Sequence, residues 1–125
     1  LLHYPPIDGD PSGVRAGAHE DINVITLLLG AEEAGLQVKT KTGAWLPIQP
    51  PPGALVINIG DMLQEASQGY FPSTTHRVTN PRGEARLHSR LSLPLFLHPR
   101  PEVVLSERHT ADTYLKERLR ELGVI

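Results

Sequence analysis

Apolar residues fall into short runs separated by proline, glycine and small polar residues, the rhythm of strands joined by brief turns. Asn23–Leu29 is almost continuously apolar, and Gly30 ends it, so it reads as a strand buried on both faces. Ala54–Ile59 reads the same way. Between them, Leu36–Thr40 alternates apolar with polar and Ala44–Ile48 returns, with Gly43 supplying the turn of a hairpin. Leu1–Pro6 is an extended segment stopped by two prolines, Ile7–Gly17 is a loop, and Ser73–Thr79 is a further strand. Pro50–Gly53, between two strands, is a stiff turn, and Asn80–Gly83 a tight one.

The longest expected strand runs from Arg86 to about His98. Its parity puts Leu87, Leu91, Leu93, Leu95 and Leu97 on one face and His88, Arg90, Ser92, Phe96 and His98 on the other. The leucine face needs a cover, whereas an arginine and a serine in mid-strand suit a polar site inside a barrel. Two helices interrupt the pattern. Asp61 is placed to cap a short one, with Gln64 completing a capping box, Met62, Leu63 and Ala66 facing inward, and Gln68-Gly69 ending it. Thr110–Gly123 carries Ala111, Leu115, Leu119 and Leu122 on one stripe, with Gly123 as C-cap. About seven strands with brief turns predict an all-β fold with a short helix and a C-terminal helix, a sandwich or barrel of the jelly-roll kind.

Composition narrows the chemistry. A chain of 125 residues makes one domain. A net charge of −2 with mixed signs leaves no basic stripe for nucleic acid. No apolar run approaches the roughly 20 residues of a membrane span, and there is no secretory signal pattern. The absence of cysteine rules out disulfides and thiolate metal sites and fits a cytoplasmic location, so any metal must use His, Asp or Glu. The chain opens at Leu1, already inside an expected strand, which reads as a piece of a longer protein.

His19 and Asp21, two apart in an extended segment, point to the same side. A third ligand from a distant strand would complete a two-histidine, one-carboxylate face with open positions opposite, an arrangement suited to non-haem Fe(II) oxygen chemistry. Spacing leaves His76, His88 and His98 as choices for it. His3 and His109 read as surface residues, and Trp45 as a packed core or edge residue.

The stretches Ala18–Asn23, Gly35–Val38, Gly43–Trp45, Pro52–Asp61, Ser73–Val78, Asn80-Pro81 and Arg90–Ser92 occur together in one order. In that order the chain resembles the Fe(II)/2-oxoglutarate-dependent oxygenases, specifically the isopenicillin N synthase-like branch. The resemblance implies a double-stranded β-helix, cupin-like, over residues 1–105, with 106–125 forming a helix that packs on it. It implies iron held by His19, Asp21 and His76, and the distal carboxylate of 2-oxoglutarate held by Arg90 and Ser92 with Tyr4 nearby. The resemblance implies a long N-terminal region ahead of Leu1 that is expected to be missing from this piece, and Leu2 stands where many relatives carry an asparagine near the cosubstrate. The implied activity consumes O2 and 2-oxoglutarate to hydroxylate, desaturate or cyclise a small organic substrate, releasing succinate and CO2. The rival readings are an Fe(II) oxidase without 2-oxoglutarate and a non-catalytic metal- or partner-binding β-barrel. Phe71 and Phe96 are expected pocket walls, and the Leu87, Leu91, Leu93, Leu95 and Leu97 face is expected to be covered either by self-association with a second chain or by the N-terminal region of the intact protein.

Overall fold

The computed structural model describes residues 1–29 and 34–125; Gly30, expected to end the first apolar strand, lies outside the described residues. The described chain is mostly antiparallel β-structure with two α-helices and a 3-10 helix. Its residues cluster into two units: Leu1–His19, Leu28–Val56 and Thr75–Leu95 make the first, and Glu20–Leu27, Ile57–Thr74 and Phe96–Ile125 the second.

In the first unit, β1 (Leu2–Tyr4) pairs antiparallel with β8 (Arg90–Ser92), setting Tyr4 opposite Arg90 and Leu2 opposite Ser92. A four-stranded sheet has the order β2-β7-β4-β5, from β2 (Ala16–His19), β7 (His76–Val78), β4 (Leu36–Lys39) and β5 (Trp45–Pro47). The β4–β5 hairpin forms where alternation predicts it, and Gly43 takes the φ of +86° its turn requires. Arg77 of β7 covers the half-buried Trp45, its guanidinium 4.0 Å from the ring centre, while its Nε donates to Gln37 Oε1 at 2.8 Å. Asn80, just past β7, ties down the approach to β2: its Oδ1 accepts from Arg15 N–H at 3.0 Å and its Nδ2 donates to Gly13 O at 2.6 Å.

β3 (Ile25–Leu29), β6 (Leu55–Ile59) and β9 (Pro94–Leu97) make a three-stranded sheet in the order β6-β3-β9. The second unit contains α1 (Asp61–Ala66) and α2 (Ala111–Glu121). Its apolar core is Met62, Leu105 and Ala111, with Ile22, Val24, Tyr114 and Leu115 packed against it. Thr110 caps α2 through a reciprocal capping box with Thr113, and Gly123 follows with φ +69°.

Several expectations are corrected. The single strand from Arg86 to His98 does not exist. Gly83–Leu87 is a 3-10 helix, β8 and β9 are separate, and the chain changes partner strand between them. Pro94, which has no N–H for a ladder bond, opens β9 at that change. Alternation survives within β8, where Arg90 and Ser92 are buried and Leu91 is exposed. Leu87, Leu91, Leu93, Leu95 and Leu97 are all between 47% and 61% exposed. Nor are the two apolar strands buried throughout: Leu29, Leu55 and Ile57 are exposed, and the fully buried residue of β3 is Thr26. Asp61 is the first helical residue of α1 and not its cap; Gly60 holds that position, and Gln64 Oε1 accepts from Ser73 N–H at 2.7 Å instead. The Ser73–Thr79 strand shortens to β7, and β2 starts inside the expected Ile7–Gly17 loop. His109, expected at the surface, is buried against Tyr114.

Candidate metal centre

Strand pairing brings the two histidines together. β2 and β7 are antiparallel, with Ala16 opposite Val78 and His19 opposite His76. Three steps along β2 answer two along β7, so β2 carries one extra residue, a β-bulge. Without it Ala18 would face His76, and the His19 side chain would turn to the other face of the sheet. With it, the two imidazole rings lie 4.3 Å apart between centres, tilted by 57°. His19 Nδ1 donates to Gly17 O at 2.8 Å. A carbonyl oxygen only accepts, so Nδ1 is the donor and Nε2 is the ring nitrogen left to ligate a metal.

Asp21 is buried, and its carboxylate is tied to neighbouring side chains. Its Oδ2 accepts from Thr26 Oγ1 at 2.5 Å and from Asn58 Nδ2 at 2.9 Å. Asn23 Nδ2 donates to the same Thr26 hydroxyl at 2.8 Å, which turns that hydroxyl's proton toward the carboxylate. The backbone is gripped as firmly. Asp61 N–H donates to Asp21 O at 2.7 Å, Met62 N–H to Asn23 O at 3.0 Å, and Gly60 N–H to Val24 O at 2.9 Å. A Cβ on Gly60 would lie 2.2 Å from Asn23 O and 2.8 Å from Asp21 O, so the approach leaves room only for glycine. Asp61 is itself buried, and burial pushes its carboxyl above the ordinary carboxylate range against the opposing pull of Ser73 and Arg118.

One ligand atom from each of His19, Asp21 and His76 lies within 4.8 Å of the others. Two neutral imidazoles and one carboxylate are the donor set of a facial Fe(II) site, so the residues present fit that ion. His88 and His98, which spacing left open, are not part of this group. Arg90 and Ser92 are buried on one face of β8. The Arg90 guanidinium lies 5.3 Å from the ring centre of Tyr4, its cross-strand partner, and Arg15 stands 6.0 Å from the same ring. Phe71 and Phe96, expected as pocket walls, are 45% and 48% exposed.

A sequence profile of the 2OG-Fe(II) oxygenase superfamily matches residues 1–99. The chain belongs to this superfamily. It is 39% identical over 106 residues to a 2-oxoglutarate-Fe(II) type oxidoreductase of Aspergillus fumigatus, covering 82% of this chain and 30% of that one. A Shewanella oneidensis structure described as that of an oxygenase superposes with TM-score 0.88 at 66% identity, over 98% of this chain and 46% of that one. A full-length Neurospora crassa protein solved in complex with alpha-KG superposes with TM-score 0.82 at 30% identity, over 96% of this chain and 43% of that one. The chain therefore spans less than half the length of each of these relatives. Its fold is the jelly roll of the 2OG oxygenases, and the superfamily's cofactors are Fe(II) and 2-oxoglutarate.

Sequence reasoning missed the groups that hold Asp21. Thr26 and Asn58 stand as lone polar residues within apolar strands, and that interruption was the available signal. Asp61 was legible only as a helix cap, and Gly60 carried no signal at all.

Proposed function

We propose that this chain is the iron- and 2-oxoglutarate-binding core of an oxygenase that hydroxylates, desaturates or cyclises a small organic substrate. His19 through Nε2, Asp21 and His76 would hold the metal. The observation that carries this reading is their convergence, with Asp21 oriented through Oδ2 by Thr26 and Asn58. Fe(II) bound there supplies the coupling of O2 activation to oxidation of 2-oxoglutarate to succinate and CO2. The side chains do the rest. His19 is oriented by the bond from Nδ1 to Gly17 O, and Asp21 by Thr26 and Asn58. Arg90 suits the distal carboxylate of 2-oxoglutarate because a guanidinium offers two parallel donors, with Ser92 adding a hydroxyl and Tyr4 flanking it.

The residues carrying this site fall within 1–105, which we take as the oxygenase core, with the segment 106–125 as an addition to it. The relatives' shared 2-oxoglutarate chemistry argues against an oxidase that dispenses with the cosubstrate. No helix among the described residues is long and apolar enough to cross a membrane, and the cysteine-free composition supports a cytoplasmic location. The exposed Leu87, Leu91, Leu93, Leu95 and Leu97 support self-association, which sedimentation of the purified chain tests. For the activity, anaerobic loading with Fe(II) and 2-oxoglutarate followed by O2 should yield succinate. Metal uptake with no succinate under any substrate tried would leave a metal-binding module and remove the oxygenase reading.

A further inference from the structure

Helix α2, residues Ala111–Glu121, lies beyond residues 1–99 matched by the superfamily profile, yet one of its side chains reaches the scaffold of the metal carboxylate. Ala111, Tyr114, Leu115 and Arg118 follow an i, i+3, i+4, i+7 spacing and so share one face. Ala111 belongs to the core with Met62 and Leu105, and Tyr114 and Leu115 pack on it, which fixes the helix against α1. One turn further on, Arg118 Nε lies 3.4 Å from Oδ2 of Asp61. Asp61 is 2% exposed, so a carboxylate there depends on a counter-charge. The N–H of the same Asp61 donates to Asp21 O, and that of Met62 to Asn23 O. A continuous line of contacts thus runs from α2 through the first turn of α1 to the backbone that presents Asp21.

We propose that Arg118 is a positioning residue for the metal carboxylate, acting through Asp61 to hold the Asp21 segment in its ligating place. This rests on the reading that Asp21 binds the metal. Without Arg118 the buried Asp61 loses its ion-pair partner and relaxes toward water, carrying the first turn of α1 and its bonds to Asp21 O and Asn23 O with it. Arg118 also pairs with Glu121, whose Oε2 accepts from Nη1 at 2.5 Å and which is half-exposed, lying on the same helix as Arg118. Glu121 serves as the internal control.

The test is an anaerobic Co(II) titration of the protein, read by the visible absorption of the bound ion. Arg118→Met, which keeps the stem and removes the charge, should weaken Co(II) binding about 10-fold and shift the absorption bands, because second-sphere losses cost about 10–100-fold in affinity. Arg118→Lys should recover most of that affinity, and Glu121→Gln should bind as the unaltered protein does. If Arg118→Met does not fold, the Asp61→Asn/Arg118→Met pair, which leaves no buried charge, is measured against Asp61→Asn alone. An action through Asp61 predicts equal affinities, and a further loss in the pair overturns it. A folded Arg118→Met protein with unchanged affinity and bands also overturns the proposal while leaving Asp21 as ligand. Failure of the unaltered protein to bind Co(II) removes the ligand assignment itself.

Discussion

Replacing Thr26 by valine removes one hydroxyl and keeps the branched shape that suits a strand, so its consequences are narrow and calculable. That hydroxyl sits in a 4% exposed position, donates to Asp21 Oδ2 and accepts from Asn23 Nδ2. Losing the bond to the carboxylate costs about 1.5–3 kcal/mol, the range for hydrogen bonds to charged groups. Asn23 is 1% exposed, and its amide would lose the acceptor it now has, a cost of about 1–3 kcal/mol. The two losses share one network and do not simply add, so the expected total is about 2–4 kcal/mol. Against a domain stability of about 5–15 kcal/mol this is a large effect from a near-isosteric change. Urea unfolding of the Thr26→Val protein should show a lower midpoint at unchanged slope, with Thr26→Ser close to the original. The same protein should bind Co(II) about 10–100-fold more weakly, since the carboxylate keeps only Asn58 of these two donors. A Thr26→Val protein within about 0.5 kcal/mol of the original, the usual range for a surface change, with unaltered Co(II) affinity would refute this account of Asp21.

Three further outcomes follow from particular contacts. Arg90→Lys keeps the charge and loses the paired donors, so 2-oxoglutarate affinity should fall while Co(II) affinity holds; equal cosubstrate affinity would move that role to another residue. Gly60→Ala forces a methyl against Asn23 O and Asp21 O at an ordinary φ of −105°, so the loss is steric; thermal unfolding should show about 1–3 kcal/mol, and no loss would mean the loop yields freely. Burial raises the Asp61 carboxyl, so the folded chain binds its proton more readily than the unfolded one, and the stability due to Asp61 falls as pH rises through the folded value. The stability of the protein relative to Asp61→Asn should therefore decline upward from the ordinary carboxylate range; a relative stability that climbs with pH would contradict the burial argument.

The motifs in their order carried a family resemblance that implied the superfamily, the jelly roll and the His19, Asp21 and His76 triad, whereas spacing alone left His76, His88 and His98 open as the third ligand. The β4–β5 hairpin and the α2 helix were legible, being set by local alternation, Gly43, the apolar stripe of α2 and Gly123 at its end. Local pattern could not say where a strand changes partner, and so the run from Arg86 to His98 split at Pro94 into strands of two different sheets. Nor could it register a bulge: one extra residue in β2 decides that His19 and not Ala18 faces His76. Apart from Thr26, five residues on, the carboxylate's surroundings are decided by residues far from it in sequence. Thr26, Asn58, Gly60 and Asp61 meet around the Asp21 segment, and Arg118 reaches Asp61, only once the chain is folded. Hydrogen bonds and counter-charges at such sequence separations follow from chain packing, which no periodicity within a segment encodes.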